Sequence, residues 1–255
     1  MENEKRIRGI NGMTLKYIAM VCMFIDHFGA TVMLEYLRRD AAFFDAGRVW
    51  YSTRTSILYF SCRFIGRIAF PIFCYMMVEG YVHTKNFWKY VLRILIFSVV
   101  SEIPFDMAFN YSILEFTSQN VGFTFLISLL TIRAYHMILY HTKFNSFIRM
   151  NLSMLALAAG LVVAYFFKAD YGAFGVFCVL MLYLFRTRKK MQFGAGMVSF
   201  AVSYFPSELP ALIAFIPLWF YNGEKGKGWR YTFYMFYPLH ILILAIIRNS
   251  IFGMW

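Results

Sequence analysis

The chain is expected to be an all-α, polytopic integral membrane bundle of about nine transmembrane helices, within a range of eight to ten, with its N-terminus cytoplasmic. Three observations carry that expectation. Of 255 residues, 60% are hydrophobic and 21% aromatic while only 15% are charged, against roughly 25% charged residues in a soluble domain. The mean hydropathy is +0.58, and long apolar runs recur from one end to the other. Such a surface cannot be covered in water, which excludes a soluble globular enzyme, a disordered chain and a small disulfide scaffold. Runs such as Leu152 to Phe167 are continuous and do not alternate, so helices rather than the strands of a closed barrel satisfy the backbone in lipid.

A window of about 20 residues places helices near 13–34, 57–79, 87–108, 121–140, 152–167, 171–185, 193–205, 209–221 and 232–247. The first follows Lys5, Arg6 and Arg8 as a signal peptide would, but its apolar stretch from Tyr17 to Ile25 runs into Asp26-His27 without a small-residue cleavage site. It therefore reads as a retained helix. The four segments between 152 and 221 are shorter than a perpendicular crossing needs, so one of them is a candidate re-entrant segment. Trp50, Trp219, Trp229 and Trp255 fall near span ends as interfacial anchors.

Charge tests the nine-helix reading. With the N-terminus inside, the inner segments hold fifteen lysines and arginines: Lys5, Arg6, Arg8, Lys85, Lys89, Arg133, Lys143, Arg149, Arg186, Arg188, Lys189, Lys190, Lys225, Lys227 and Arg230. The outer segments hold six: Arg38, Arg39, Arg48, Arg54, Lys168 and Arg248. The bias supports N-in and C-out. The loop from Glu35 to Ser56 is the exception, since its arginines come with Glu35, Asp40 and Asp45, and it is expected to fold against the outer surface. The net charge of +12 is thus a topology signal, and no nucleic-acid partner is expected. Cys22, Cys62, Cys74 and Cys178 lie in apolar segments with no metal or redox spacing. No repeat or linker divides the chain, which reads as a single domain over 1–255.

The loops leave Lys16, Arg63, Arg67 and Arg93 inside spans with Asp26, Glu102, Asp106 and, near an inner end, Glu79. Each such group costs roughly 2.5–3.5 kcal/mol at mid-bilayer, so they meet in the bundle interior or a wet cavity. Lys16 and His27 are eleven residues apart, on one helix face and about 16 Å apart along the axis. Arg63 and Arg67 share a face of the second span, as do Glu102 and Asp106 of the third. His240 falls about mid-span in the last helix. Asp26 invites a role in orienting His27, but helix neighbours diverge by about 100°. Its alternative is an arginine on another helix, which leaves Glu102 or Asp106 to set the histidine tautomer. Structural ion pairing is the competing reading for any one of these charges. His83, at an inner helix end, reads as a loop residue ahead of a ligand, and His136 and His141 as solvated residues in a basic loop. The five histidines lack close metal-ligand spacing, and no metal is expected.

The stretch Leu15-Lys16-Tyr17-Ile18-Ala19-Met20, then Met23 and Asp26-His27-Phe28-Gly29, resembles the opening of the TraX family, known for a conjugative pilin N-acetylase. The resemblance continues in Gly66-Arg67-Ile68-Ala69-Phe70-Pro71-Ile72-Phe73, Val78-Glu79-Gly80-Tyr81-Val82-His83-Thr84, Tyr90, Arg93 and Ser101-Glu102-Ile103-Pro104-Phe105-Asp106. It resumes at Asn120 to Thr124, Asp170-Tyr171-Gly172 and Phe236-Tyr237-Pro238-Leu239-His240, and so covers most of the chain. TraX proteins in turn are similar to the type 3 membrane acyltransferases, whose first helix carries Arg or Lys, ten residues, then His. Lys16 and His27 match that spacing.

The resemblance implies a transmembrane acyltransferase of the bacterial cytoplasmic membrane. It would take acetyl groups from cytoplasmic acetyl-CoA to an amine or hydroxyl of an unidentified envelope acceptor, either protein or glycan, among membrane lipids. In that scheme His27, with Asp26, is catalytic, as general base or transient acetyl carrier. Lys16, Arg67 and Arg93 hold the donor, and Arg63, Glu79, His83, Glu102, Asp106 and His240 line the cavity. Arg63 and Arg67 either stabilise charge on the thioester oxygen or neutralise Glu102 and Asp106. The basic run Arg186 to Lys190 would gather coenzyme A, beside its plainer role in topology. The alternative is a proton-coupled small-molecule transporter, which also buries charges in mid-membrane, although no second copy of the Asp-His segment marks related halves. A structural subunit of a secretion machine would need fewer buried charges.

Overall fold

A computed structural model describes residues 9–39, 54–203, 205–229 and 231–253. Lys5, Arg6, Arg8, Arg48, Trp50, Arg230, Trp255 and most of the loop from Glu35 to Ser56, with Asp40 and Asp45, lie outside the described residues. The described residues are helical, joined by turns and two isolated backbone bridges, Ile10 with Tyr221 and Gln119 with Ala169. The fold is a helical membrane bundle.

Helix α1 covers Gly12–Arg39, with a π turn at Gly29–Met33. Next come α2 (Arg54–Gly66), α3 (Ala69–His83) and α4 (Phe87–Phe105), the last running into a second π turn at Asp106–Asn110. Helices α5 (Val121–His141), α6 (Ser146–Phe166), α7 (Gly172–Leu184) and α8 (Lys189–Ser203) follow. A 3₁₀ turn at Leu209–Ala214 leads into the short α9 (Phe215–Trp219), and α10 (Thr232–Phe252) closes the chain. Asparagines start four of these helices. Asn11, Asn86, Asn120 and Asn145 each accept a backbone N–H of the first turn through Oδ1 at 2.9–3.0 Å, replacing a partner that a helix start otherwise lacks.

Among the described residues, five segments are long and apolar enough to cross a bilayer: Gly12–Arg39, Arg54–His83, Val121–His141, Ser146–Phe166 and Thr232–Phe252. The second is interrupted at Arg67-Ile68, where α2 ends and α3 begins. All nine expected segments are helical, with ends shifted by a few residues. The segment expected at 209–221 is half 3₁₀ turn and only eleven residues from Leu209 to Trp219, too short to cross a hydrocarbon core about 30 Å thick. With α8 it forms a hairpin that enters and leaves on one face, as expected of a re-entrant segment.

That face is marked by contacts among the basic loops. Gly12 N–H donates to Glu224 O at 2.8 Å and Met13 N–H to Lys225 O at 3.0 Å, while Lys189 Nζ donates to Trp219 O at 2.8 Å. The core behind it contains Leu15, Ile72, Leu129, Ile132, Val176, Leu182 and Ile241, all fully buried. Close helix approach uses small residues, as is usual in membranes: a Cβ at Gly160 of α6 would collide with Thr131 of α5. The outward faces carry Trp88, Val99, Phe147, Leu155 and Val162 in the open, a covering suited to lipid.

Opposite the basic face, the ends of α1, α4 and α10 are fastened together. Arg248, expected in an outer loop, is instead inside α10 and 1% exposed. It donates to Ala108 O at 2.5 Å and Met107 O at 2.8 Å in the second π turn, and its guanidinium lies 4.2 Å from the Tyr111 ring centre. Tyr111 donates to Glu35 Oε2 at 3.2 Å, and Arg39 to Glu35 Oε1 at 2.9 Å. The π turn leaves backbone carbonyls without helical partners, and the arginine supplies donors for them.

Candidate functional site

Counting from the basic face at 1.5 Å per residue, His27 on α1, Arg67 at the α2–α3 break, Tyr171 before α7 and the turn after α8 all lie about 18–24 Å deep. Short helices make this possible. At thirteen and fifteen residues, α7 and α8 stop inside the bundle and deliver the turns carrying Asp170-Tyr171 and Ser207-Glu208 to the level of His27. There they surround a cavity of about 410 Å³, with Asp26, His27, Arg63, Arg67, Asp170, Tyr171 and Glu208 as its charged and polar lining. Phe70, Phe73, Phe105, Phe125, Phe233 and Tyr237 supply its apolar walls.

The central contact is a pair of imidazoles. Nδ1 of His27 lies 2.7 Å from Nε2 of His240, with the ring planes within 5° of each other. Nδ1 of His240 in turn lies 2.7 Å from the carbonyl oxygen of Phe236. A carbonyl only accepts, so Nδ1 of His240 bears the proton and its Nε2 is an acceptor. His27 must then donate from Nδ1, which leaves the lone pair on its own Nε2. Phe109 and Tyr237 hold the His27 ring edge-on at centroid distances of 5.4 and 5.9 Å, and the π turn of α1 begins two residues after it.

Two ion pairs flank the imidazoles. Arg63 Nη1 meets Asp26 Oδ2 at 2.6 Å, and Arg67 Nη1 meets Glu208 Oε1 at 2.8 Å. Each guanidinium has further N–H donors beyond those pairs, and Arg67 also bonds the Tyr171 hydroxyl. Gly66 allows α2 this close to α1, because a Cβ there would overlap the Asp26 carboxylate. Oδ1 of Asp26 is buried without a hydrogen-bond partner among the described residues. In the turn before α7, the Tyr171 N–H donates to Asp170 Oδ1 at 3.0 Å.

The sequence-derived set therefore divides. His27, Asp26, Arg63, Arg67 and His240 come together. Asp26 turns away to Arg63, the alternative that helix geometry allowed, and the group that orients His27 is His240 rather than a carboxylate. Glu102 and Asp106 neither reach the histidine nor neutralise Arg63 and Arg67. Glu102 holds Asn120, while Asp106 accepts from Asn110 Nδ2 and Glu115 N, both at 2.8 Å. Both therefore hold the loop between α4 and α5. Lys16, Arg93, Glu79 and His83 do not line the cavity. Lys16 lies toward the basic face near Lys225, and Arg93 packs over the Tyr90 ring at 5.6 Å. Glu79 bonds Tyr221 and its backbone oxygen contacts His83 Nδ1 at 2.9 Å. Glu208 escaped the sequence reading because its turn joins two short apolar segments. The available signal was that it is the sole acidic residue between 171 and 223.

Comparison with known proteins gives a family model described as TraX protein that matches residues 11–248. A probable fimbrial assembly protein FimC, serogroup H1, of Dichelobacter nodosus is 30% identical over 259 aligned residues, covering 91% of this chain and 93% of that protein. No solved structure matches.

Proposed function

Since this chain belongs to the TraX family, we propose that it is a membrane-embedded acetyltransferase acting on an amine or hydroxyl of a bacterial envelope acceptor. The acyl donor in this reading is acetyl-CoA, approaching from the cytoplasmic side of the inner membrane. The observation that carries the reading is the chain from Phe236 O through His240 to His27, which turns the basic nitrogen of His27 away from His240 in a cavity flanked by two arginines. The relative's name, fimbrial assembly protein, favours a pilin or another surface-appendage subunit as acceptor.

His27 Nε2 takes the proton of the acceptor N–H or O–H as that atom attacks the thioester carbonyl. Arg63 and Arg67 stabilise the oxyanion that develops, with N–H groups not used by Asp26 and Glu208. The carbon–sulfur bond then breaks, and the imidazolium of His27 returns its proton to the leaving thiolate. His240 acts through His27: its Nε2 accepts the Nδ1–H of His27, which fixes the tautomer, and that hydrogen bond strengthens as positive charge grows on His27. Lys16, about 16 Å below His27 on the same helix face, attracts the donor's phosphate groups. A cavity of about 410 Å³ suits an acetyl thioester end and one acceptor group, and the aromatic walls exclude water that would hydrolyse the donor.

The test is release of free coenzyme A from acetyl-CoA by the chain in lipid nanodiscs, with a cell-envelope extract as acceptor source. Release is expected with extract alone, to fall by 10²–10⁴-fold in His27→Ala, and to need more donor in Lys16→Ala. Folded wild-type protein that exchanges a solute across vesicles without cleaving the thioester would replace this reading with transport.

A further inference from the structure

A second concavity lies away from the His27 cavity, between α8 and the α9 arm of the hairpin. Its volume is about 500 Å³, within the roughly 300–1,000 Å³ of ligand pockets. Phe193 and Phe215, both 4% exposed, form its floor with ring centres 5.5 Å apart. Met197 and Ile216 form walls that remain open to the outside. Lys190 stands at its mouth, in a run with Arg186, Arg188 and Lys189. Lys189 is tied to the Trp219 carbonyl at 2.8 Å, so this basic end is held against the aromatic end of α9. From Lys190 to Met197 the groove descends about 10 Å along α8, within the roughly 15 Å of one leaflet's hydrocarbon. Gly194 sits in its middle, and a Cβ built there meets nothing within 4 Å. The groove therefore has room beside Gly194 for a guest chain.

An apolar trough in the hydrocarbon zone, headed by a cluster of fixed positive charge at the interface, matches one molecule: a membrane phospholipid with an anionic headgroup. The geometry points to a binding site for such a lipid, with one acyl chain over Phe193 and Gly194 and the headgroup phosphate at Lys190. Charge complementarity selects the occupant. A zwitterionic lipid gains the same apolar contact but less from Lys190 at the mouth and Lys189 held beside Trp219, each such group near the membrane surface being worth a several-fold preference for an anionic lipid. A second copy packed on this groove about a two-fold axis would bring the same basic residues to the same mouth and be repelled. The site would bind lipid beside the re-entrant hairpin whose turn carries Glu208, and so brace the element that holds Arg67. This inference does not depend on the acetyltransferase reading.

The experiment is native mass spectrometry of the full-length chain, released from detergent after mixing with phosphatidylglycerol or phosphatidylcholine of identical acyl chains. Wild type is expected to retain phosphatidylglycerol several-fold better. Lys190→Gln is expected to lose about fivefold of that preference, and Gly194→Leu, which fills the groove, to lose retention of the tightest-bound lipid. Helical far-ultraviolet dichroism and melting temperature identify a misfolded variant, in which case Gly194→Ala and Lys190→Gln carry the comparison. Equal retention of the two lipids by wild type overturns the proposal. So does retention unchanged in both folded variants, displacement of the lipid by added coenzyme A, or a dimer peak that replaces the lipid adduct.

Discussion

His240 decides the state of His27 through a single hydrogen bond, and its replacement separates orientation from proton transfer. His240→Phe keeps a flat ring but removes the acceptor for Nδ1–H of His27. Acetyl transfer is expected to fall about 10–100-fold, less than in His27→Ala, and with the larger effect on kcat than on KM for the donor. Coenzyme A release under saturating and limiting donor checks the split.

At the scale of elements, two features position the site: helices that end early and a fastening that holds their outer ends. Helices α7 and α8 bring Asp170 and Glu208 to the depth of His27 because each stops after thirteen or fifteen residues. The break between α2 and α3 does the same for Arg67, freeing it from a continuous helical face to meet Glu208 at 2.8 Å. On the far side, Arg248→Leu would leave the carbonyls of Ala108 and Met107 without their side-chain donors. Each buried unpaired group costs about 1–3 kcal/mol, so unfolding of the variant in dodecyl sulfate should begin at a clearly lower detergent fraction. Transfer activity should fall with it, because Phe109 in that π turn and Phe105 just before it line the cavity.

For the whole molecule, the basic face gathers the N-terminal end of α1, the α8–α9 hairpin and the loop before α10. The positive-inside rule predicts that this face is cytoplasmic. A cysteine placed at Asn145, between α5 and α6, should then react with an impermeant maleimide only after cells are opened. One at Ser112, beyond the second π turn, should react in intact cells. The four native cysteines are buried and leave the background low. The reverse pattern would invert the orientation and put the donor on the other side.

The helical class and the nine segments were legible because lipid tolerates no unpaired backbone, so each long apolar run had one structural solution. What one helix settles by itself was legible for a similar reason: a period of 3.6 residues separates Asp26 from His27 and so turns Asp26 toward another helix. Pairing between helices was legible only in part, since it depends on depth and rotation that packing sets. The sequence offered Asp26 an arginine on another helix, and Arg63 is that arginine, but Arg67 found Glu208 rather than Glu102 or Asp106, and His240, known only to lie in mid-span, became the partner of His27. Arg248 likewise left the outer loop for the interior, because the carbonyls of a π turn, invisible in the amino-acid order, offered it more hydrogen bonds than that loop would.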